Sequence, residues 1–226
     1  MDSGSCVGWG TGNGVLLWLF VNKNNKLPKD PKKNPGISVR YIWMAAKEMD
    51  EFTSYPTTFA ELDGTSLKAA LDIARKFGVV TNDILPFRVP DSTGALTNEC
   101  LYRKGSIQTL LAQASKLKVA SYYNLATNQA TKLDTWKNWL AANNGPILTA
   151  LGVDATWDNA TNTHGNLDVY QPNTVRGGHC VAIVGYIQDR FIIRNSWGTG
   201  WGDKGFAYAS KAYAQAAFNE AYGVTV

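Results

Sequence analysis

An α+β architecture, helices first and strands later, is the fold class this sequence predicts. Two observations carry it. Val7 to Phe20, Ser38 to Phe52 and Ser66 to Phe77 read as helices that fill the first third of the chain. From Pro146 onward the pattern changes to short strand-like runs, Ile147 to Val153, Cys180 to Tyr186, Arg190 to Arg194 and Gly205 to Tyr208. Gly and Asp punctuate these runs as they do between antiparallel strands. Helices followed by strands give α+β order rather than βαβ alternation.

Taken in order, the first helix is unusual because Gly8, Gly10, Gly12 and Gly14 stand at alternate positions. Each costs about 1 kcal/mol of helix propensity relative to Ala. Close approach of other backbone compensates, as in a helix that forms the central wall between two lobes. Lys23, Lys26, Lys29, Lys32 and Lys33 follow, interleaved with Pro and Asn, and read as a solvated loop. Ser38 is the expected N-cap of the second helix, and Gly78 the stop of the third. Pro86 to Ser106 and Asp154 to Arg176 are long, polar and turn-rich. Between them lie a strand near Val119 to Tyr123 and a helix near Leu133 to Ala142.

The bulk numbers bound the function. With 226 residues, 45% hydrophobic and 18% charged, the chain can bury a real core as one compact unit or two small lobes. Net charge is +4, from 22 basic and 18 acidic residues, too small a surplus to imply a nucleic-acid partner. The early apolar run Val15 to Val21 falls short of the roughly 18 residues of a membrane span. Cys6 and the glycines occupy the place a secretory signal would need, so no export signal is read. A cytoplasmic or virion-associated location fits better than a disulfide-rich secreted one. Three cysteines, Cys6, Cys100 and Cys180, cannot all pair within one chain, which turns attention to thiol chemistry.

Cys6 stands immediately before the apolar helix, where the positive end of the backbone dipole favours the nucleophilic thiolate. A second element comes from the strand region. His179 opens the run Cys180 to Tyr186, and a turn leads through Phe191 to Arg194 into Asn195-Ser196-Trp197-Gly198. That interval holds one strand, a hairpin turn and a second strand, so His179 and Asn195 can sit side by side at one end of the ladder. An imidazole acting as base needs one ring nitrogen toward the thiol and an oxygen on the other to fix its tautomer. Asn195 can supply the oxygen, and Trp197 can cover the bond. Cys180, by strand alternation, faces the opposite side as a core residue. His164 reads as a surface-loop histidine.

At these residues the sequence resembles the papain-like, or cathepsin-type, cysteine peptidases. Gly4-Ser5-Cys6-Val7-Gly8-Trp9 is similar to that family's Gly-Ser-Cys-Trp-Ala-Phe segment. Gly178-His179-Cys180 through Gly185-Tyr186 is similar to its histidine strand, and Asn195 to Gly202 followed by Asp203 to Phe206 matches its most diagnostic motif. Ser38 to Trp43, Gly64 to Leu67, Gly78 to Val80 and Gly145 to Ile147 look like blocks of the bacterial and viral branch. The resemblance implies a single peptidase domain over residues 1–226. Its helical lobe would cover about 1–105 and its antiparallel, barrel-like lobe about 106–226, with the active site in the cleft between them.

It further implies a cysteine-type peptidase acting on peptide or protein substrates, without metal or organic cofactor, nucleic acid or membrane. Cys6 would be the nucleophile, His179 the base and Asn195 its orienter, with Trp197 shielding the pair and Gly178 at the substrate. The imidazolium and thiolate would hold each other charged from mildly acidic to neutral pH. A papain-like fold kept as a binding or structural module is the alternative.

Two departures stand beside the resemblance. The family's glutamine six residues before the nucleophile, a side-chain oxyanion donor beside the backbone N–H of Cys6, would fall one residue before Met1. Such a donor is worth about 2.7–4 kcal/mol. An upstream start, a substitute donor and a catalytically weak form are the open readings. The interval from Cys6 to His179 also exceeds the roughly 130–150 residues of the papain and cathepsin group. Asp154 to Arg176, carrying the sequon Asn159-Ala160-Thr161, is the natural place for the extra loop.

Overall fold

Serine caps set where two helices of the N-terminal half begin, and the computed structural model shows them in place. It describes residues 4–49, 64–87, 89–90, 96–97 and 107–226. Ser38 Oγ accepts from the N–H of Tyr41 at 3.0 Å and donates to the carbonyl of Leu85 at 2.7 Å, opening α3 (Val39–Met49). Ser66 accepts from the N–H of Ala69 and opens α4 (Leu67–Lys76). Gly78, at φ +94°, ends α4 with its N–H on the carbonyl of Ile73 at 3.1 Å, the left-handed stop that the sequence predicts. The expected extension of α3 to Phe52, and Cys100, lie outside the described residues.

The chain divides into two compact units, residues 2–120 and 121–225. In the first, the glycine-rich helix is one continuous helical run of three pieces: α1 (Cys6–Trp9), a π-helical stretch (Gly10–Leu16) and α2 (Leu17–Asn22). The wider π turn falls on the glycines, which are poor at holding regular α geometry. Val15, Leu16, Leu19 and Phe20 are buried with Ile42 of α3 and Leu71 of α4. Among the described residues, α5 (Ile107–Ala114) and a minimal hairpin also belong to the unit. The hairpin pairs β1 (Val89–Pro90) with β2 (Leu96–Thr97), inside a stretch read from sequence as loop. The lysine loop is exposed, as expected, and Lys26 Nζ donates to the carbonyl of Lys116.

The second unit is a seven-stranded sheet. Its strands are β3 (Ser121–Asn124), β4 (Ile147–Val153), β5 (Asn166–Leu167), β6 (Gly177–Ile187), β7 (Arg190–Arg194), β8 (Phe206–Ser210) and β9 (Phe218–Thr225). Their order is β3-β9-β4-β6-β7-β8-β5. Every ladder is antiparallel except β5 with β8, which is parallel. The tail after Lys211, for which the sequence pattern gives no element, forms α7 (Lys211–Ala217) and β9, and β9 lies inside the sheet between β3 and β4.

α6 (Lys132–Ala141) packs on this sheet through Trp136, which is fully buried against Phe191 and Phe218. Lys132, 1% exposed, donates to Gln129 Oε1 and to the carbonyls of Gln215 and Phe218. These three acceptors satisfy a buried ammonium and tie α6 to the end of α7. Among the described residues no helix is long and apolar enough to cross a membrane.

The close approach inferred for the glycine helix is made within its own unit. A Cβ on Gly8 would lie 2.6 Å from the carbonyl oxygen of Val39 and 3.1 Å from Cβ of Trp43. Gly8→Ala therefore gains about 1 kcal/mol of helix propensity but forces α1 from α3 at an overpacking cost of about 1–3 kcal/mol. Urea unfolding of this variant is expected to show a net loss of up to about 2 kcal/mol. Raised stability would contradict the close packing.

Candidate active site

His179 is the third residue of β6 and sits opposite Leu151 of β4. Strand alternation puts it on the same face as Val181 and Ile183, which belong to the buried cluster of this unit. Cys180 falls on the other face and is 1% exposed. β7 then returns along β6, with Arg194 opposite Ala182, and delivers Asn195 just past the strand end. The two residues meet: His179 Nε2 lies 2.8 Å from Asn195 Oδ1.

One neighbouring bond fixes the proton in this pair. The backbone N–H of Ser196 donates to the same Oδ1 at 2.7 Å. A backbone N–H can only donate, so the amide must present its oxygen there and cannot be turned over. His179 Nε2 therefore carries a hydrogen and donates it, and in the neutral ring the lone pair belongs to Nδ1. Asn195 Nδ2 is buried and has no hydrogen-bond partner among the described residues.

Aromatic rings enclose the imidazole. Trp197 lies with its ring centroid 5.1 Å from that of His179 at 37°, and Trp157 stands nearly perpendicular to the imidazole at 5.6 Å and 88°. Trp157 also stacks on Trp201 at 4.8 Å. Only 7% of His179 is exposed. Burial pushes its pKa below the ordinary histidine value, and the Asn195 hydrogen bond opposes that only in part. The surroundings of the ring thus disfavour its charged form.

Gly177 and Gly178 precede the histidine and are exposed, and no described atom would lie within 4 Å of a Cβ built on either. His164 is exposed, in a turn with φ 50°. Cys6 is the first residue of α1 and is half-buried, with Ser5 at the N-cap. That position places its sulfur at a helix start, where the backbone N–H groups favour the thiolate. Trp9, one turn on, packs its ring 5.5 Å from Phe87. Among the described residues no group of three or more His, Cys, Asp or Glu side chains gathers as a metal site.

Sequence reasoning missed Trp157, Asp154 and Tyr213. The segment from Asp154 to Arg176, read as inserted loop, is partly core. Asp154 and Trp157 are 0% exposed, and Leu167 forms part of an edge strand. The available signal was a lone tryptophan shortly after a strand end in an otherwise polar run.

The sequence pattern described as "Papain family cysteine protease" matches residues 57–224. The chain belongs to the papain family. Among relatives, the cathepsin L-like proteinase of Fasciola hepatica is 29% identical over 150 residues, 63% of this chain and 39% of that protein. Cathepsin B-like CP3 of Giardia intestinalis is 30% identical over 151 residues, 64% of this chain and 46% of that protein. The papain-family chain thus matches less than half the length of either relative. Among solved structures, xylellain, a cysteine protease from Xylella fastidiosa, superposes with a TM-score of 0.75 at 19% identity. That alignment covers 99% of this chain and 80% of the other, and it supports the papain-like α+β fold. The family match begins at residue 57, so Cys6 lies outside it.

The depressed His179 pKa has a defined sign in stability. Between the native value and the unfolded value of about 6.5, the unfolded chain binds more protons. The histidine's contribution is therefore present above about 6.5 and is lost as pH falls toward the native pKa. In a Cys6→Ala background, urea unfolding is expected to show His179→Gln losing this part of the pH dependence. Parallel stability curves with and without the substitution would contradict the burial argument.

Proposed function

We propose that the chain is a cysteine-type peptidase that cleaves peptide bonds in peptide or protein substrates, with Cys6 as nucleophile, His179 as acid and base, and Asn195 as the residue orienting His179. The observation that carries the reading is the Asn195 Oδ1 that receives both the Ser196 N–H and the His179 Nε2–H. It leaves Nδ1 as the nitrogen able to take a thiol proton. Placement in the bacterial and viral branch is part of the same proposal and rests on the sequence blocks from Ser38 to Trp43 and Gly145 to Ile147.

In this mechanism Nδ1 of His179 takes the proton of Cys6, and the thiolate attacks the peptide carbonyl carbon. A carbon–sulfur bond forms and the oxygen becomes an oxyanion, which the backbone N–H of Cys6 stabilises. Nδ1–H then protonates the departing nitrogen as the carbon–nitrogen bond breaks, leaving a thioester. A water loses its proton to Nδ1 and attacks the thioester, and the acid leaves as the thiol is restored. Trp197 keeps solvent from the His179–Asn195 bond, and Gly178 leaves room for substrate. Because burial disfavours the imidazolium, a thiolate at Cys6 would offset that cost with its negative charge.

Alkylation by iodoacetamide, located by mass, tests the reading. Cys6 is expected to react about 100-fold faster than an unstructured peptide thiol, and His179→Ala to abolish that advantage together with peptide hydrolysis. Reaction of Cys6 at the peptide rate would overturn the proposal and point to the fold serving as a binding module.

A further inference from the structure

Trp157 is tied to a buried polar chain that the peptide-cleaving mechanism does not use. Asp154 follows β4 directly and is fully buried. Its Oδ1 accepts from the Tyr213 hydroxyl at 2.7 Å and from Thr156 Oγ1 at 2.6 Å, and its Oδ2 accepts from the N–H of Gln171 at 2.7 Å. A carboxylate only accepts, so the single Tyr213 O–H is committed to Asp154. Burial and that bond both raise the Tyr213 pKa, so the phenol keeps its proton. Its oxygen is left to accept from Trp157 Nε1–H, at 2.9 Å. The carbonyl of Trp157 accepts in turn from Trp201 Nε1 at 3.0 Å.

A buried carboxylate and phenol are costly unless fully satisfied, and apolar side chains could fill the same volume. This chain is satisfied and directional, and it ends on the ring that stands perpendicular to the imidazole. An indole packed only by its faces can rock about its side-chain bonds. The Nε1–H bond to Tyr213 restrains that rocking, and Trp201, held to the Trp157 carbonyl, stacks on the indole.

We propose that Asp154, Tyr213 and Trp157 form a hydrogen-bonded brace that fixes the plane of His179, making Trp157 a positioning residue for the base. The brace lies wholly within residues 121–225, and it reaches the histidine through the same strand that pairs with it: Leu151 of β4 sits opposite His179, and Asp154 is the residue after the end of β4. Its catalytic consequence rests on the function proposed above, whereas its structural consequence does not. With the indole fixed, the imidazole keeps Nε2–H on Asn195. With the indole loose, the ring tilts and that proton meets solvent.

NMR of the full chain provides the test, through the solvent exchange of the His179 Nε2 proton. Tyr213→Phe, which removes one hydroxyl and keeps the ring, is expected to speed that exchange about tenfold, the scale of one lost hydrogen bond. Amide protection of β4 and β6 should persist, and kcat should fall while KM stays within about twofold. Trp157→Phe carries the same expectation if Tyr213→Phe does not fold. In the unsubstituted chain the Trp157 Nε1 and His179 Nε2 protons should exchange together and respond alike to low urea. Unchanged His179 exchange in a folded variant, or unrelated exchange of the two protons in the parent, would overturn the brace. A parent without peptidase activity but with coupled exchange would refute the proposed function and leave the brace standing.

Discussion

A backbone N–H can only donate, and at Ser196 that fact decides what the imidazole of His179 can do. It holds the amide of Asn195 with its oxygen toward the histidine, so the hydrogen on the imidazole sits at Nε2 and the basic lone pair at Nδ1. Everything around the pair preserves this arrangement. The return of β7 along β6 brings Asn195 beside His179, and Trp197 and Trp157 close over the ring. An amide does this without the full charge of a carboxylate, so the histidine is oriented without being made permanently cationic. Burial adds to this by disfavouring the charged form of the ring.

Local preference is given up at two places in the fold. The helix carrying Cys6 gives up propensity at its glycines, passes through a π turn and lets the carbonyl of Val39 approach closely. Asp154 and Tyr213 are buried as a polar pair where an apolar one would fit. Neither feature follows from building a stable core alone, and both converge on side chains with proposed chemistry. Lys132 is a contrasting case: equally buried and equally satisfied, its ammonium joins α6 to α7 and β9 and serves the architecture.

How much was legible in the sequence depended on whether a signal was local. The serine cap of α3, the glycine stop of α4 and the alternation that separates His179 from Cys180 are each written in a few adjacent residues, and the structure has them as read. The His179–Asn195 meeting was readable because a strand, a turn and a strand have a fixed span. The tail carries no such signal, because Phe218 to Thr225 becomes an interior strand only through partners distant in sequence, β3 and β4. Trp157 was missed for the same reason: its neighbours are polar in sequence, and its burial comes from Tyr213, Trp197 and Trp201. Ser196 contributed its backbone, which no residue type announces.

The tautomer of His179 tests the account most directly. In Cys6→Ala, where no thiolate can hold the ring charged, ring-nitrogen NMR at neutral pH should find Nε2 protonated and Nδ1 bare, and Asn195→Ala should let both tautomers appear. A ring protonated at Nδ1, or a tautomer mixture already present with Asn195 intact, would contradict the claim that Ser196 and Asn195 set the chemistry of this histidine.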